Sequence, residues 1–168
     1  MPDYSSSWFA LTVRHQHERS ADGALRSAGV ETFLPLYRSR RRWSDRLVHR
    51  DVPLFPGYVF GKFSIDEKVR ILRTPGVAKI VGFAGAPASV PDREIADLRA
   101  ALASNLPLGP WPYLRAGDRV RIEEGPLRGV EGTLLRQPGK LRLVLSVEML
   151  QRSVAIEIDS DSVDPVRN

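Results

Sequence analysis

The sequence predicts an α+β protein in two parts: a mainly antiparallel sheet flanked by helices over residues 1–104, then a small all-β barrel over residues 114–168. Three observations carry that expectation. Helical spacing of apolar residues occurs only in the first part, interleaved with runs of strand length. The second part repeats period-two alternation broken by turn residues, the signature of short strands. Between them, Asn105–Tyr113 holds three prolines and one glycine. Such a stretch neither continues a helix nor donates regularly to a sheet, so residues 105–113 read as a stiff linker.

In chain order, Trp8–Val13 is an apolar run of strand length. Ala21, Ala24, Leu25 and Ala28 then fall at i, i+3, i+4 and i+7, one face of a helix. Gly23 weakens that helix by roughly 1 kcal/mol relative to alanine, and Gly29 is placed to end it. Glu31–Leu34 reads as a second strand, stopped by Pro35. The polar segment Arg41–Val52 suits a protruding strand pair or a loop. Tyr58–Phe63 alternates and is rich in aromatic and β-branched residues, so it is a strand. Ile65, Val69 and Leu72 mark a short helix, and Val77–Phe83 another strand. Ser89 is expected to cap a last helix, with Asp92 reaching back and Ile95, Leu98 and Leu102 buried along it. The order β-α-β-β-α-β-α, with few helices, gives the sheet-plus-helices architecture.

Beyond the linker, Val120 and Ile122 alternate with Arg119 and Arg121. Val130, Gly132 and Leu134 follow, then Leu141, Leu143, Leu145 and Val147, then Val154, Ile156 and Ile158. Turns at Glu124-Gly125-Pro126 and Pro138-Gly139 separate the runs. Strands this short and this closely spaced close their own edges best as a small barrel.

Composition narrows the function classes. There are no cysteines, which removes disulfides, thiolate zinc sites and cysteine nucleophiles together. The segment Met1–Trp8 lacks a basic region followed by a long apolar run, and no stretch approaches the roughly 18 apolar residues of a membrane span. The expectation is a soluble, cytoplasmic protein. The net charge of +5 is uneven: 16 Lys/Arg face 11 Asp/Glu in residues 1–104, against nine and nine in residues 105–168. Only the first part is biased toward nucleic acid.

Signals for catalysis are missing. The cluster Gly125–Gly132 lacks the Gly-Lys-Ser/Thr that grips phosphates and lies between strands, so it reads as a turn and a tight barrel corner. His15 and His17 would face one side of a strand without a third ligand nearby, and His49 stands apart, so no metal site is expected. No nucleophile elbow or catalytic carboxylate pair is present. The expectation is a binding protein, not an enzyme, with no cofactor.

Two segments carry a family resemblance. Leu54-Phe55-Pro56-Gly57-Tyr58-Val59-Phe60, followed by Thr74-Pro75-Gly76-Val77 and Val81-Gly82, resembles the N-terminal (NGN) domain of NusG proteins, and Trp8-Phe9 and Pro87–Leu98 match the same pattern in order. Gly117–Ile122, then Gly125-Pro126-Leu127 and Gly132, resembles the KOW motif that opens the family's C-terminal SH3-like barrel. The resemblance implies a monomeric transcription elongation and antitermination factor. Its NGN domain would dock on the clamp helices of the largest subunit of RNA polymerase and favour processive, pause-resistant elongation. On these positions the polymerase-facing set is Trp8, Phe55, Pro56, Gly57 and Tyr58.

Further features resemble the specialised RfaH-like and UpxY-like paralogues, which act on particular operons, more than the housekeeping factor. These are Pro53–Pro56, Gly85–Ala88 and Met149–Val154. Where general NusG reads Phe-Gly-Arg, this chain places Leu150 and Arg152 as the KOW partner-binding residues. That departure weighs against a contact with the Rho terminator and leaves a small-subunit ribosomal protein open as a partner. The basic run Arg38, Arg40, Arg41, Arg42, Arg46 and Arg50, with Trp43 inside it, suits the exposed non-template DNA strand, because arginines hold phosphates and tryptophan stacks on bases. Arg14 matches a basic position that RfaH-like proteins use for that strand. The nucleic-acid set is thus Arg14, Arg40, Arg41, Arg42, Trp43 and Arg46. Alternatives are a housekeeping factor, or an RNA-binding, ribosome-associated KOW module.

Overall fold

The computed structural model describes residues 5–43, 46–114, 116–159 and 163–165. The chain divides into two compact units, one of Met1–Pro35 and Phe55–Asp92, the other of Leu36–Leu54 and Arg93–Asn168.

The first unit opens with β1 (Ser7–Val13), α1 (Glu18–Ser27) and β2 (Glu31–Phe33). The chain then leaves for the second unit as a hairpin of β3 (Leu36–Trp43) and β4 (Arg46–Pro53), and returns with β5 (Tyr58–Phe63). A 3-10 turn (Ile65–Glu67) leads into α2 (Lys68–Leu72), followed by β6 (Val77–Ile80) and a small hairpin of β7 (Gly82–Phe83) and β8 (Ala86–Pro87). The main sheet runs β2-β5-β1-β6 with every pairing antiparallel. β1 is therefore interior, and Trp8, Phe9, Ala10, Leu11 and Val13 are all buried. A strand covered on both faces needs apolar residues in succession, which is why Trp8–Val13 does not alternate.

One face of β1 supplies Phe9, Leu11 and Val13 to a core shared with Ala21 and Leu25 of α1, Phe63 and Ile71. Phe9 stacks on Phe63 with ring centroids 4.7 Å apart. The i, i+4 pair Ala21 and Leu25 is wholly buried, while Ala28 lies outside. Gly29 follows the helix at φ +82°, the left-handed conformation that ends helices.

The second unit adds α3 (Asp92–Ala103) from Arg93 onward, then β9 (Leu108–Trp111), β10 (Asp118–Ile122), β11 (Glu131–Gln137), β12 (Lys140–Val147), β13 (Arg152–Ile158) and β14 (Val163–Pro165). These strands form one antiparallel sheet in the order β14-β10-β11-β12-β13-β9. Val120, Ile122, Leu143, Leu145, Val147, Val154 and Ile156 fill its core. The cluster after β10 is the turn its glycines implied: Arg128 N–H donates to Gly125 O (3.2 Å) and Gly129 N–H to Ile122 O (2.8 Å), burying Leu127. A Cβ on Gly132 would stand 2.7 Å from Val144 O, so β11 and β12 cross too closely there for any side chain.

Four local expectations change. Part of the proline-rich stretch is a strand, since β9 pairs with β13 through Trp111, Pro110, Gly109 and Leu108. Pro110 is tolerated because β9 ends the sheet, where one edge needs no donor. Ser89 does not cap α3. Instead Val90 N–H donates to Trp8 O at 2.7 Å, drawing the segment onto the sheet edge and delaying the helix to Asp92. Ile65, Val69 and Leu72 point outward, and Ile71 is the residue that α2 buries. His15 and His17 lie in a turn after β1, not on a strand, with His17 Nδ1 2.8 Å from His15 O.

Candidate functional site

The strongest sequence motif, Phe55–Tyr58, forms a turn into β5 that is closed by its own hydrogen bond and fastened from outside by two more. Tyr58 N–H donates to Phe55 O (3.1 Å) and Val13 N–H to Gly57 O (2.9 Å). Gly57 N–H donates to the Glu18 carboxylate at 2.9 Å. Glu18 is only 8% exposed although charged, which is sustainable because its oxygen takes this buried donor. Gly57 sits at φ +86° with open space where a Cβ would stand, so backbone conformation alone selects glycine.

A second Pro-Gly loop meets the same strand end. Arg14 N–H donates to Gly76 O at 2.9 Å, one residue beyond the bond from Val13 to Gly57. Gly76 adopts φ +90°, and a Cβ there would lie 3.1 Å from the Ala21 methyl, so conformation and space both exclude a side chain. The fold thus brings Pro56, Gly57 and the exposed Arg14 to one end of β1, although the loops are separated by some twenty residues of sequence.

Trp8 and Phe55, read from the sequence as partner-facing, are only 4% and 2% exposed. Trp8 is interior because β1 is. Phe55 turns its ring edge to Phe60 at 6.0 Å, 86° from parallel, and supports the turn from beneath. Pro56 is exposed, and Gly57 and Tyr58 are half-buried. Sequence reasoning missed the exposed apolar side chains Ile65, Val69, Leu72 and Phe83, the last 70% exposed. Their apolar character read as core, and only the register of α2 distinguishes Ile71 from its neighbours. Sequence reasoning also missed Glu18, a lone acid at a helix start with no motif around it.

Of the two readings the sequence left open, strand pair or loop, the basic segment takes the strand pair. Its register sets Arg38 opposite Asp51, Arg40 opposite His49, Arg41 opposite Val48, Arg42 opposite Leu47 and Trp43 opposite Arg46. Arg38, Arg46 and Arg50 are exposed, as are Leu47 and Val48 near the tip. The side chains of Arg40, Arg41, Arg42 and Trp43 lie outside the described residues.

Leu150 closes a 3-10 turn (Glu148–Leu150) and is 6% exposed, so it packs inward, while Arg152 at the start of β13 is exposed. Gln151 between them takes a left-handed φ of +49°. The opening turn of α3 is engaged with the sheet. Arg93 donates to Gly129 O at 2.9 Å and approaches Glu131 at 3.4 Å, and Glu148 N–H donates to Glu94 at 3.0 Å. Arg121 donates twice to Glu131, and that bond holds the Glu131 carboxyl below its ordinary range. Burial pushes the Glu94 and Asp97 carboxyls up. Among the described residues no three His, Asp or Glu side chains gather as a metal site, and no helix is long and apolar enough to cross a membrane.

The family model described as transcription termination factor NusG matches residues 6–99, the segment that carries both Pro-Gly loops and the hairpin. The transcription termination/antitermination protein NusG of Vibrio parahaemolyticus is 30% identical over 143 residues, 80% of this chain and 74% of that protein. The protein of the same name from Lactococcus lactis is 24% identical over 178 residues, 98% of this chain and 95% of its own. The solved structure "Domain interaction in Thermotoga maritima NusG" superposes with a TM-score of 0.57 at 21% identity, covering 96% of this chain and 98% of that one, a likeness of fold. A match over more than half the chain, on the residues that build the site, settles the assignment: this chain belongs to the NusG family of transcription termination and antitermination factors.

Proposed function

We propose that this chain is a non-catalytic elongation factor that docks on the clamp of RNA polymerase through the Pro56–Tyr58 turn and acts as a specialised paralogue on particular operons. The functional modules follow the chain order, residues 1–104 binding polymerase and residues 114–168 serving as the KOW module. The observation that carries the reading is the fastening of the turn by Glu18 and Val13, added to its own closing bond from Tyr58 N–H to Phe55 O. A turn held this rigidly, with Pro56 exposed and Tyr58 half-exposed, loses little entropy on docking, which favours affinity. Exposed Ile65, Val69, Leu72 and Phe83 on the same unit supply the kind of apolar anchors a protein partner needs.

The mechanism needs no bond chemistry. A factor that binds the closed, forward-moving polymerase more tightly than the paused one shifts the population by that difference in affinity. Arg14 beside the turn and the arginines of β3 and β4 then meet the non-template strand. The Met149–Val154 stretch supports the specialised reading, since its buried Leu150 replaces a contact side chain and leaves Arg152 as the exposed one. A ribosomal protein remains the proposed partner there, in the cytoplasm where transcription and translation meet.

The test is pause escape on a single template in vitro. Wild type is expected to shorten pauses, and Pro56→Gly/Tyr58→Ala, checked for its fold, to lose most of that effect. Equal pause escape by both proteins would refute the docking site. Binding to free RNA with no effect on polymerase would favour an RNA-binding module.

A further inference from the structure

Folding leaves four leucines half-buried around one cleft: Leu36 at the start of β3, and Leu102, Leu106 and Leu108 on the segment from α3 into β9. The cleft has a volume of about 750 Å³ and lies entirely within the second unit. That volume falls in the range of about 300–1,000 Å³ typical of small-ligand pockets, whose linings are mainly apolar with a few polar groups.

The walls are set in advance. Glu157 N–H donates to Pro107 O at 2.9 Å, tying the approach to β9 onto β13. Ser104 Oγ accepts Leu106 N–H at 3.2 Å and donates to Ala101 O at 2.6 Å, fixing the exit from α3. The Tyr37 ring passes 3.7 Å from where a Cβ on Gly109 would stand, so β9 supports it through a residue without a side chain. A ligand entering such a site orders little of the protein, which favours affinity.

Charge distinguishes the polar groups of the lining. Its two acids are already matched: the Glu157 carboxylate faces Lys140 at 3.3 Å and Arg142 at 3.8 Å, and Asp51 holds an interaction of its own. Arg38 and His49 also line the cleft and are exposed, and neither has a hydrogen-bond or ion-pair partner among the described residues. Arg38 stands across from Asp51, and His49 lies two residues from Asp51 on β4, so the three share one face of the hairpin. The open polar groups are thus a guanidinium and an imidazole beside a leucine wall.

We infer that the cleft binds a small organic acid with an apolar body, its carboxylate at Arg38 and His49 and its body against the leucines and Tyr37. A guanidinium holds a carboxylate through two parallel N–H donors, which orients the head while the body fills the apolar side. An organic cation would meet Arg38 instead, with both lining acids already matched. The inference is independent of polymerase docking, and of the hairpin's arginines it uses Arg38 alone.

The experiment follows backbone amide resonances of the isotope-labelled full chain during titration with hydrocinnamate and with its neutral isostere hydrocinnamamide, at neutral pH. Wild type is expected to show shifts at Tyr37, Asn105, Leu106 and Leu108 with both, the acid binding about fivefold more tightly. Arg38→Gln, at an exposed position and checked by circular dichroism, should bring the two ligands to within about twofold while amide binding is retained. Leu106→Ser should weaken both by about threefold. Equal affinity of acid and amide for wild type, or a preference that survives Arg38→Gln, would overturn the inference. So would undiminished binding by Leu106→Ser, shifts confined to residues away from the cleft, or no shifts with either ligand.

Discussion

Removing the Glu18 carboxylate tests the support of the docking turn. In Glu18→Ala the Gly57 N–H loses its partner at 2.9 Å, in a setting where Glu18 as a whole is only 8% exposed. A hydrogen bond to a charged group contributes about 1.5–3 kcal/mol, and an orphaned donor adds its own desolvation cost, so local stability should fall by about 2 kcal/mol. The assay is residue-resolved amide exchange. Opening governed by local free energy would make Gly57 exchange about 30-fold faster, with smaller changes at Val13 and Tyr58. Glu18→Gln keeps an acceptor and should recover roughly half of the loss. Equal protection of Gly57 in wild type and Glu18→Ala would refute the claim that α1 fastens the turn.

Three further outcomes are expected. Gly76→Ala, forced to hold φ +90° with its methyl 3.1 Å from Ala21, should cost about 1–3 kcal/mol, read as a lowered thermal midpoint of the whole chain. Because burial raises the Glu94 carboxyl above its unfolded value, the stability that group contributes is full below about pH 4.5 and is lost as pH rises through its folded value. Glu94→Gln, whose amide oxygen still accepts the Glu148 N–H, should therefore gain urea resistance over wild type at pH 7 and little at pH 4.5; equal gains at both would oppose this. For the hairpin, Arg46→Ala and Arg50→Ala should each flatten the salt dependence of single-stranded DNA binding by about 0.7 in log–log slope if the arginine meets a phosphate.

How much of this was legible in the sequence depended on whether each local signal had a competitor. The β strands of the C-terminal sheet were readable because Val120/Ile122, Leu143/Leu145 and Val154/Ile156 stand two apart in runs bounded by turn residues, although Val144 and Ala155 between them are buried as well. In α1 the pair Ala21 and Leu25 announced the buried face. The short α2 misled because Ile65, Val69 and Leu72 are also at helical spacing, and a five-residue helix has too few turns for the pattern to reveal which face the core covers. Ser89 and Asp92 offered a capping pattern that lost to a backbone bond between Val90 and Trp8, a tertiary contact no local rule contains. Prolines 107, 110 and 112 argued for a linker, yet an edge strand accepts Pro110. Within the site, Pro56 and Gly57 form a turn just before β5, while the part played by the Pro75-Gly76 loop came only from its backbone bond to Arg14. Their exposure did not follow from residue type: Trp8, Phe55 and Leu150 were chosen as aromatic or apolar contact residues, and the same property drew them into the interior.

The most direct test of the central claim is equilibrium binding of the labelled chain to a reconstituted RNA polymerase elongation complex, wild type against Pro56→Gly/Tyr58→Ala of verified fold. The expected result is saturable binding by wild type and at least a tenfold loss in the variant. Undiminished binding by the variant would contradict the role of the turn, and no binding by either protein would contradict polymerase docking itself.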